Sequence, residues 1–275
     1  MLAASLVLFA LVHGGTDIAR PRGEGHLLAV AHSHNDYEQR VPLVDAVGAR
    51  FSSVEADVWL RDGEIVVSHE PPGNRGRLED LYLTPLQERV DQLGSVYGDG
   101  HPFYLWIDLK EFRPELTDAL HALLKRYPML TVFTDEAVIP GPVVAILTGD
   151  EAAKARYTDS HSVRLACRDS NRLRPGDAAA DRRWTWYALP WSAVVEGYEL
   201  GARQTVAHRR LRAVAEMAHR LGRRLRLYDV PERREAWTMA VAAGVDLIST
   251  DQIASLRSFL TASRPRAASP GRNGR

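Results

Sequence analysis

The sequence is poor in cysteine and lysine and has no excess charge of either sign. Its one cysteine, Cys167, excludes an intrachain disulfide and a cysteine-based zinc site. Arginine and lysine together number 35, as do aspartate and glutamate, so the formal net charge is zero. Such a chain lacks the bulk positive charge that binds polyanions, and we expect no nucleic-acid partner. Lysine occurs at only three positions, so a lysine within a motif is more noticeable than an arginine.

The longest apolar run near the N-terminus covers residues 2–12 and is too short to span a bilayer. Its length fits the core of a signal peptide, so we predict a leader over residues 1–22 and an exported protein, periplasmic or extracellular. A misassigned start and a cytoplasmic protein are the alternative. Residues 263–275 are rich in proline, glycine and arginine, and we predict that this tail is disordered.

Between these ends, strand-like and helix-like segments alternate without a linker or an internal repeat. About eight β-then-α units predict a parallel α/β fold, and we assign residues 23–262 to one (β/α)8 TIM barrel. A doubly wound sheet is the alternative, but no glycine-rich phosphate fingerprint follows the first strand. The predicted barrel strands are 27–31, 51–60, 102–110, 143–147, 163–167, 184–189, 224–230 and 245–249. We expect residues 65–68 to return as a hairpin, and residues 168–183 to form a loop.

Acidic residues lie in two of the predicted strands. Glu55 and Asp57 are two residues apart, so both side chains point to one face, where they repel each other and lose hydration. Asp108 ends the next barrel strand, with Lys110 two residues further on. Strand ends meet at one mouth of a barrel, and three carboxylates there favour a divalent cation, Mg²⁺ first and Ca²⁺ second. Solvated acids on an exposed strand are the alternative interpretation.

Histidines lie close to these acids in sequence. His32 and His34 end the first strand, and His69 ends the hairpin strand. Histidine is the side chain best suited to proton transfer near neutral pH, and two histidines beside a metal can act as base and acid. This combination suits phosphoryl transfer. We expect His32 to be structural, and Asp251 to be the N-cap of a helix over residues 252–260.

Three short motifs resemble the phospholipase-C-like phosphodiesterase superfamily. They are Ala-His-Ser-His-Asn-Asp-Tyr at 31–37, Val-Glu-Ala-Asp-Val at 54–58 and Val-Ser-His at 67–69. The superfamily includes glycerophosphodiester phosphodiesterases, phosphatidylinositol-specific phospholipase C and sphingomyelinase D toxins. The His-Asn-Asp-Tyr form is most similar to the branch typified by the fungal altered inheritance of mitochondria protein 6.

The resemblance implies a metal-dependent phosphodiesterase that acts on a glycerophosphodiester or a phospholipid-like substrate. It implies that Glu55, Asp57 and Asp108 are the metal ligands and that His34 and His69 are the acid–base pair. Two departures from the common phosphodiesterase pattern leave the substrate open. Asn-Asp follows His34 in place of Arg-Gly, and the third ligand is aspartate where many relatives have glutamate.

Four further residues are candidates for substrate contact: Lys110, Asn35, Tyr228 and Trp237. Asn35 holding its loop, and Tyr228 and Trp237 packing in the core, are the alternatives. We expect a monomer whose partner is a small-molecule or lipid phosphodiester, with transient contact to a membrane surface if the substrate is a lipid.

Two other functions remain open at this stage. His32-x-His34 also suits a metal-dependent amidohydrolase, although later strand ends lack the histidines that this class needs. The barrel can also serve as a non-catalytic binding module.

Overall fold

The computed structural model describes residues 26–71, 73–195 and 204–263. The predicted leader and residues 264–275 of the predicted tail lie outside these ranges. Eight parallel strands form a closed barrel, because the first strand pairs with both the second and the last. The barrel strands are β1 (Leu28–Ser33), β2 (Phe51–Arg61), β5 (Phe103–Leu109), β8 (Val143–Gly149), β9 (Ala166–Ser170), β10 (Trp184–Pro190), β11 (Arg224–Tyr228) and β12 (Leu247–Thr250). The predicted (β/α)8 fold is confirmed.

Four short strands lie outside the barrel ring. The predicted hairpin is confirmed, since β3 (Glu64–Val67) runs antiparallel to β2, and β4 (Gly76–Arg77) pairs with β3. The strands β6 (Val132–Phe133) and β7 (Val138–Ile139) form a separate two-stranded sheet.

Eight α-helices are present in the described residues: α1 (Val44–Gly48), α2 (Thr84–Leu93), α3 (Pro114–Leu124), α4 (Glu151–Ser160), α5 (Trp191–Val195), α6 (Gln204–Arg220), α7 (Arg234–Ala243) and α8 (Ile253–Ala262). A 3₁₀ turn over Asp36–Glu38 follows β1, and a π-helical turn over Glu79–Leu83 leads into α2. None of the helices in the described ranges combines the length and the apolar character needed to cross a membrane.

The barrel strands are apolar on both faces, as expected for a parallel sheet covered by helices. In β5, Leu105, Ile107 and Leu109 belong to the main hydrophobic core. Tyr104 and Trp106 alternate with them and belong to a second cluster. Cys167 is a buried free thiol in this second cluster.

Residues 151–183 differ from the sequence prediction. The strand predicted at 163–167 lies at Ala166–Ser170, so the predicted loop over 168–183 begins inside it. Helix α4, which precedes this strand, was not predicted. Charged side chains explain both errors, because the Lys154 ammonium of α4 and Asp169 of β9 are buried together at 2.6 Å. Residues that hydropathy assigns to the surface are therefore inside.

Candidate active site

Three carboxylates converge at the carboxyl ends of β2 and β5. Glu55 and Asp57 point to the same side of β2, and Asp57 is in register with Asp108 of β5. One ligand atom from each residue lies within 4.8 Å of the others. The structure therefore brings together the three side chains that the sequence placed at one barrel mouth.

The chemistry of this cluster fits a divalent cation. The Oδ1 atoms of Asp57 and Asp108 are buried and have no hydrogen-bond partner. Burial and the neighbouring acids Asp57 and Glu55 raise the pKa of Asp108 to about 6, against the opposing charge of Lys110. Unsatisfied carboxylate oxygens at this spacing are the hard ligands that Mg²⁺ and Ca²⁺ take. Glu55, Asp57 and Asp108 can thus hold a metal ion.

Lys110 bridges the two aspartates through their Oδ2 atoms. Its ammonium lies 2.8 Å from Oδ2 of Asp57 and 3.1 Å from Oδ2 of Asp108. Burial lowers the pKa of Lys110, but the two carboxylates outweigh burial and the net shift is upward. Lys110 is therefore a fixed positive charge at the cluster, and the Oδ1 atoms of both aspartates stay free.

His34 lies beside Glu55 and is oriented by the last barrel strand. Its Nδ1 lies 2.9 Å from Oδ1 of Asp251, and its Nε2 lies 3.7 Å from Oε2 of Glu55. Burial lowers the pKa of His34, but the hydrogen bond to Asp251 and the charge of Glu55 raise it above the usual value. The prediction that Asp251 caps α8 is wrong, because the N-cap is Gln252 and no side-chain cap bond forms.

The position of Asp251 is itself fixed by neighbouring loops. The backbone N–H of Asp251 donates to Oε1 of Glu232 at 2.7 Å, and Gln39 donates to the carbonyl of Asp251 at 3.0 Å. Its carboxylate can therefore hold one imidazole orientation of His34.

His69 lies beside Asp57, on the segment that leaves β3. Its Nδ1 is 3.0 Å from Oδ2 of Asp57, and its side chain is 55% exposed. The hydroxyl of Tyr37 donates to the same oxygen at 2.8 Å. Both histidines therefore have Nδ1 held by a carboxylate, so Nε2 is the atom available for proton transfer.

His32 is a structural residue, as the sequence predicted. Its Nδ1 lies 2.7 Å from the hydroxyl of Ser53, and its ring packs edge-on against Trp106. Burial and the positive charge of Arg226 lower the pKa of His32 to about 3. This buried, neutral imidazole packs between β2 and β5 through its contacts with Ser53 and Trp106.

Arg226 is the residue that sequence analysis missed. It lies on β11, it is buried, and its Nη2 donates to Oε2 of Glu55 at 2.6 Å. Burial alone raises the pKa of Glu55, but Arg226 and the two histidines hold it well below the usual value. The signal in the sequence is an arginine two residues before Tyr228, inside the predicted strand over residues 224–230.

The other candidates for substrate contact occupy different places. Asn35 adopts the left-handed conformation at φ 43° immediately after His34, and Tyr228 is half-buried at the end of β11. Trp237 is 4% exposed on α7 and its ring lies 5.6 Å from that of Phe259. The position of Trp237 corresponds to the packing alternative and offers no surface to substrate.

Comparisons with known proteins bear on the family and the fold of the chain. A family model described as the AIM6-like phosphodiesterase domain matches residues 27–164. The altered inheritance of mitochondria protein 6 homolog of Arthroderma benhamiae is 29% identical over 160 residues, which are 49% of this chain and 50% of the relative. The chain spans about half or less of the length of the curated relatives it matches.

Solved structures share the fold at low sequence identity. A glycerophosphodiester phosphodiesterase from Parabacteroides distasonis has a TM-score of 0.53 at 13% identity, covering 85% of this chain and 97% of that one. A phosphodiesterase from Oleispira antarctica, in complex with the product sn-glycerol-3-phosphate, has a TM-score of 0.51 at 13% identity, with the same coverage.

Proposed function

The chain belongs to the AIM6-like phosphodiesterase family, and from that membership we propose that it is a metal-dependent hydrolase of a glycerophosphodiester or phospholipid-like phosphodiester. The observation that carries the proposal is a pair of carboxylate-held histidines beside one acidic cluster. His34 lies next to Glu55, and His69 lies next to Asp57.

In this proposal, the residues of the site have separate roles. Glu55, Asp57 and Asp108 hold the cation, with Mg²⁺ the ion we favour and Ca²⁺ the second. When bound, the ion neutralises charge on the phosphate oxygens. Lys110 adds a positive charge beside the same position, which favours binding of an anionic diester.

The histidines move the protons. An oxygen of water or of a neighbouring substrate hydroxyl attacks phosphorus, and Nε2 of one imidazole takes its proton as the new P–O bond forms. Nε2 of the other imidazole gives a proton to the leaving oxygen as the old P–O bond breaks. Asp251 and Asp57 keep the rings oriented by their contacts with Nδ1 of His34 and His69.

The amidohydrolase alternative has less support. Within the described ranges, the only group of three or more potential metal ligands is Glu55, Asp57 and Asp108. His161 follows α4 and His208 lies on α6, so neither ends a barrel strand. A non-catalytic binding module stays open until turnover is measured.

The experiment is a panel of phosphodiesters assayed with chelator and then with added Mg²⁺, Ca²⁺ or Mn²⁺. We expect turnover that chelator abolishes and metal restores. His34→Ala and His69→Ala should each lower kcat by about 10²–10⁴-fold. His101→Ala is the matched control, because His101 is exposed just before β5, at the opposite end of that strand from Asp108. Full turnover in chelator, or in both site variants, contradicts the proposal.

Export, a monomeric state and transient membrane contact stay predictions from the sequence. Cell fractionation, size-exclusion chromatography and vesicle sedimentation measure them in turn.

A further inference from the structure

Arg226 is a cation buried inside the barrel, directly against the acidic cluster. Its side chain is 2% exposed. Three contacts fix the guanidinium: Nη2 lies 2.6 Å from Oε2 of Glu55, Nε lies 3.1 Å from the hydroxyl of Ser249, and Cζ lies 4.6 Å from the centre of the Trp106 ring. A guanidinium held by a hydroxyl, a carboxylate and an aromatic face has one orientation.

A buried ion pair by itself is weak support for stability. Replacing such a pair with apolar residues of similar volume is often neutral or stabilising. The effect of Arg226 on the position of Glu55 is therefore the better explanation of this ion pair. The ion-pair contacts of Arg226, His32 and His34 with Glu55 are each made to Oε2. Arg226 donates its hydrogen bond to Oε2, and none of the three side chains forms a hydrogen bond with Oε1.

The two aspartates show the same division of oxygens. Lys110 holds Oδ2 of both Asp57 and Asp108, while both Oδ1 atoms are buried without a hydrogen-bond partner. Each of the three carboxylates thus has one oxygen bound to a protein cation. Lys110 does this for two carboxylates and Arg226 does it for the third.

We propose that Arg226 is a positioning residue for the metal: it holds Oε2 of Glu55 so that Oε1 is the single oxygen that Glu55 presents to a divalent cation. The proposal rests on the proposed function, which supplies the cation. One oxygen from each of three carboxylates leaves further positions of the ion for water and phosphate oxygens. Arg226 also repels the cation through its charge, but its positioning of Glu55 outweighs this repulsion.

The test is Mn²⁺ binding to the full chain without substrate, measured from the electron paramagnetic resonance signal of free Mn²⁺. Arg226→Met should weaken binding by about 10–100-fold, the usual effect of removing a residue that orients a metal ligand. Arg226→Lys keeps the charge without the planar fork and should fall between wild type and Arg226→Met. Arg224→Met is the control, because it makes the same substitution at the exposed start of β11 and should bind Mn²⁺ as wild type does.

Unchanged or tighter Mn²⁺ binding by Arg226→Met, in protein with the circular dichroism spectrum of wild type, overturns the proposal. If Arg226→Met does not fold, Arg226→Lys decides, and binding equal to wild type overturns the proposal. A wild-type chain that binds no Mn²⁺ overturns both this proposal and the metal dependence of the proposed function. Weakened binding in the variants of a chain that cleaves no phosphodiester supports the role of Arg226 and rejects the proposed activity.

Discussion

Asp36 lies in the turn after His34 and is fully buried. The backbone N–H of Leu43 donates to Oδ2 of Asp36 at 2.5 Å, and the hydroxyl of Tyr82 donates to the same atom at 3.1 Å. Burial raises the pKa of Asp36 from 3.8 to about 6, although these hydrogen bonds oppose the shift. Replacing Asp36 with asparagine keeps an acceptor oxygen for both donors and removes the charge.

The sign of the pH effect follows from the direction of the shift. Because the pKa of Asp36 is higher in the folded chain, folding favours its protonated form. The resulting stabilisation is complete below pH 3.8 and is lost as the pH rises through about 6. At about 1.36 kcal/mol per pKa unit, the shift corresponds to about 3 kcal/mol of unfolding free energy.

Urea unfolding of wild type and Asp36→Asn between pH 4 and pH 7.5 measures this quantity. The unfolding free energy of the variant relative to wild type should rise by about 2 kcal/mol across this interval, because part of the loss in wild type already occurs below pH 4. Asp62→Asn is the control for removal of one carboxylate charge, since Asp62 is exposed in the turn between β2 and β3. A difference for Asp36→Asn that does not change across the interval refutes the assignment of a buried, destabilising charge.

A close backbone approach at Gly149 and a buried ion pair between Lys154 and Asp169 can each be tested by substitution. Gly149 has φ 87°, and a Cβ there would overlap Oδ1 of Asp108, whereas Gly244 has φ 81° and open space around it. Gly149→Ala should therefore lower the unfolding free energy by about 1–3 kcal/mol more than Gly244→Ala in urea unfolding; equal losses argue against the overlap. Lys154→Met leaves Asp169 buried without its ammonium partner and should cost about 3–5 kcal/mol in the same assay, and adding Asp169→Asn should recover part of it. A loss under about 1 kcal/mol contradicts this interpretation.

The barrel and its acidic cluster could be predicted because both follow from local rules. Alternating side chains in β2 place Glu55 and Asp57 on one face without any knowledge of the rest of the chain. Asp108 joins them because parallel strands in one barrel end at the same rim. These inferences need only the order of strands and the period of two residues.

The parts that could not be predicted depend on partners that are distant in sequence. Asp251 contacts His34 across 217 positions, while local sequence offered only a helix cap. Arg226 alternates with Leu225 and Leu227, a pattern that is typical of a half-exposed strand. In a closed barrel both faces of the strand are buried, so the arginine lies inside.

The seam of the barrel, where β1 meets β12, has a consequence for synthesis of the protein. Of the barrel strands, the one that His34 directly follows emerges first from the ribosome, and the one that precedes Asp251 emerges last. An intermediate that has residues 27–164, the part matched by the family model, contains the acidic cluster but lacks Asp251 and Arg226. His34 therefore gains its orienting partner Asp251 only when the last strand has been made and the barrel closes.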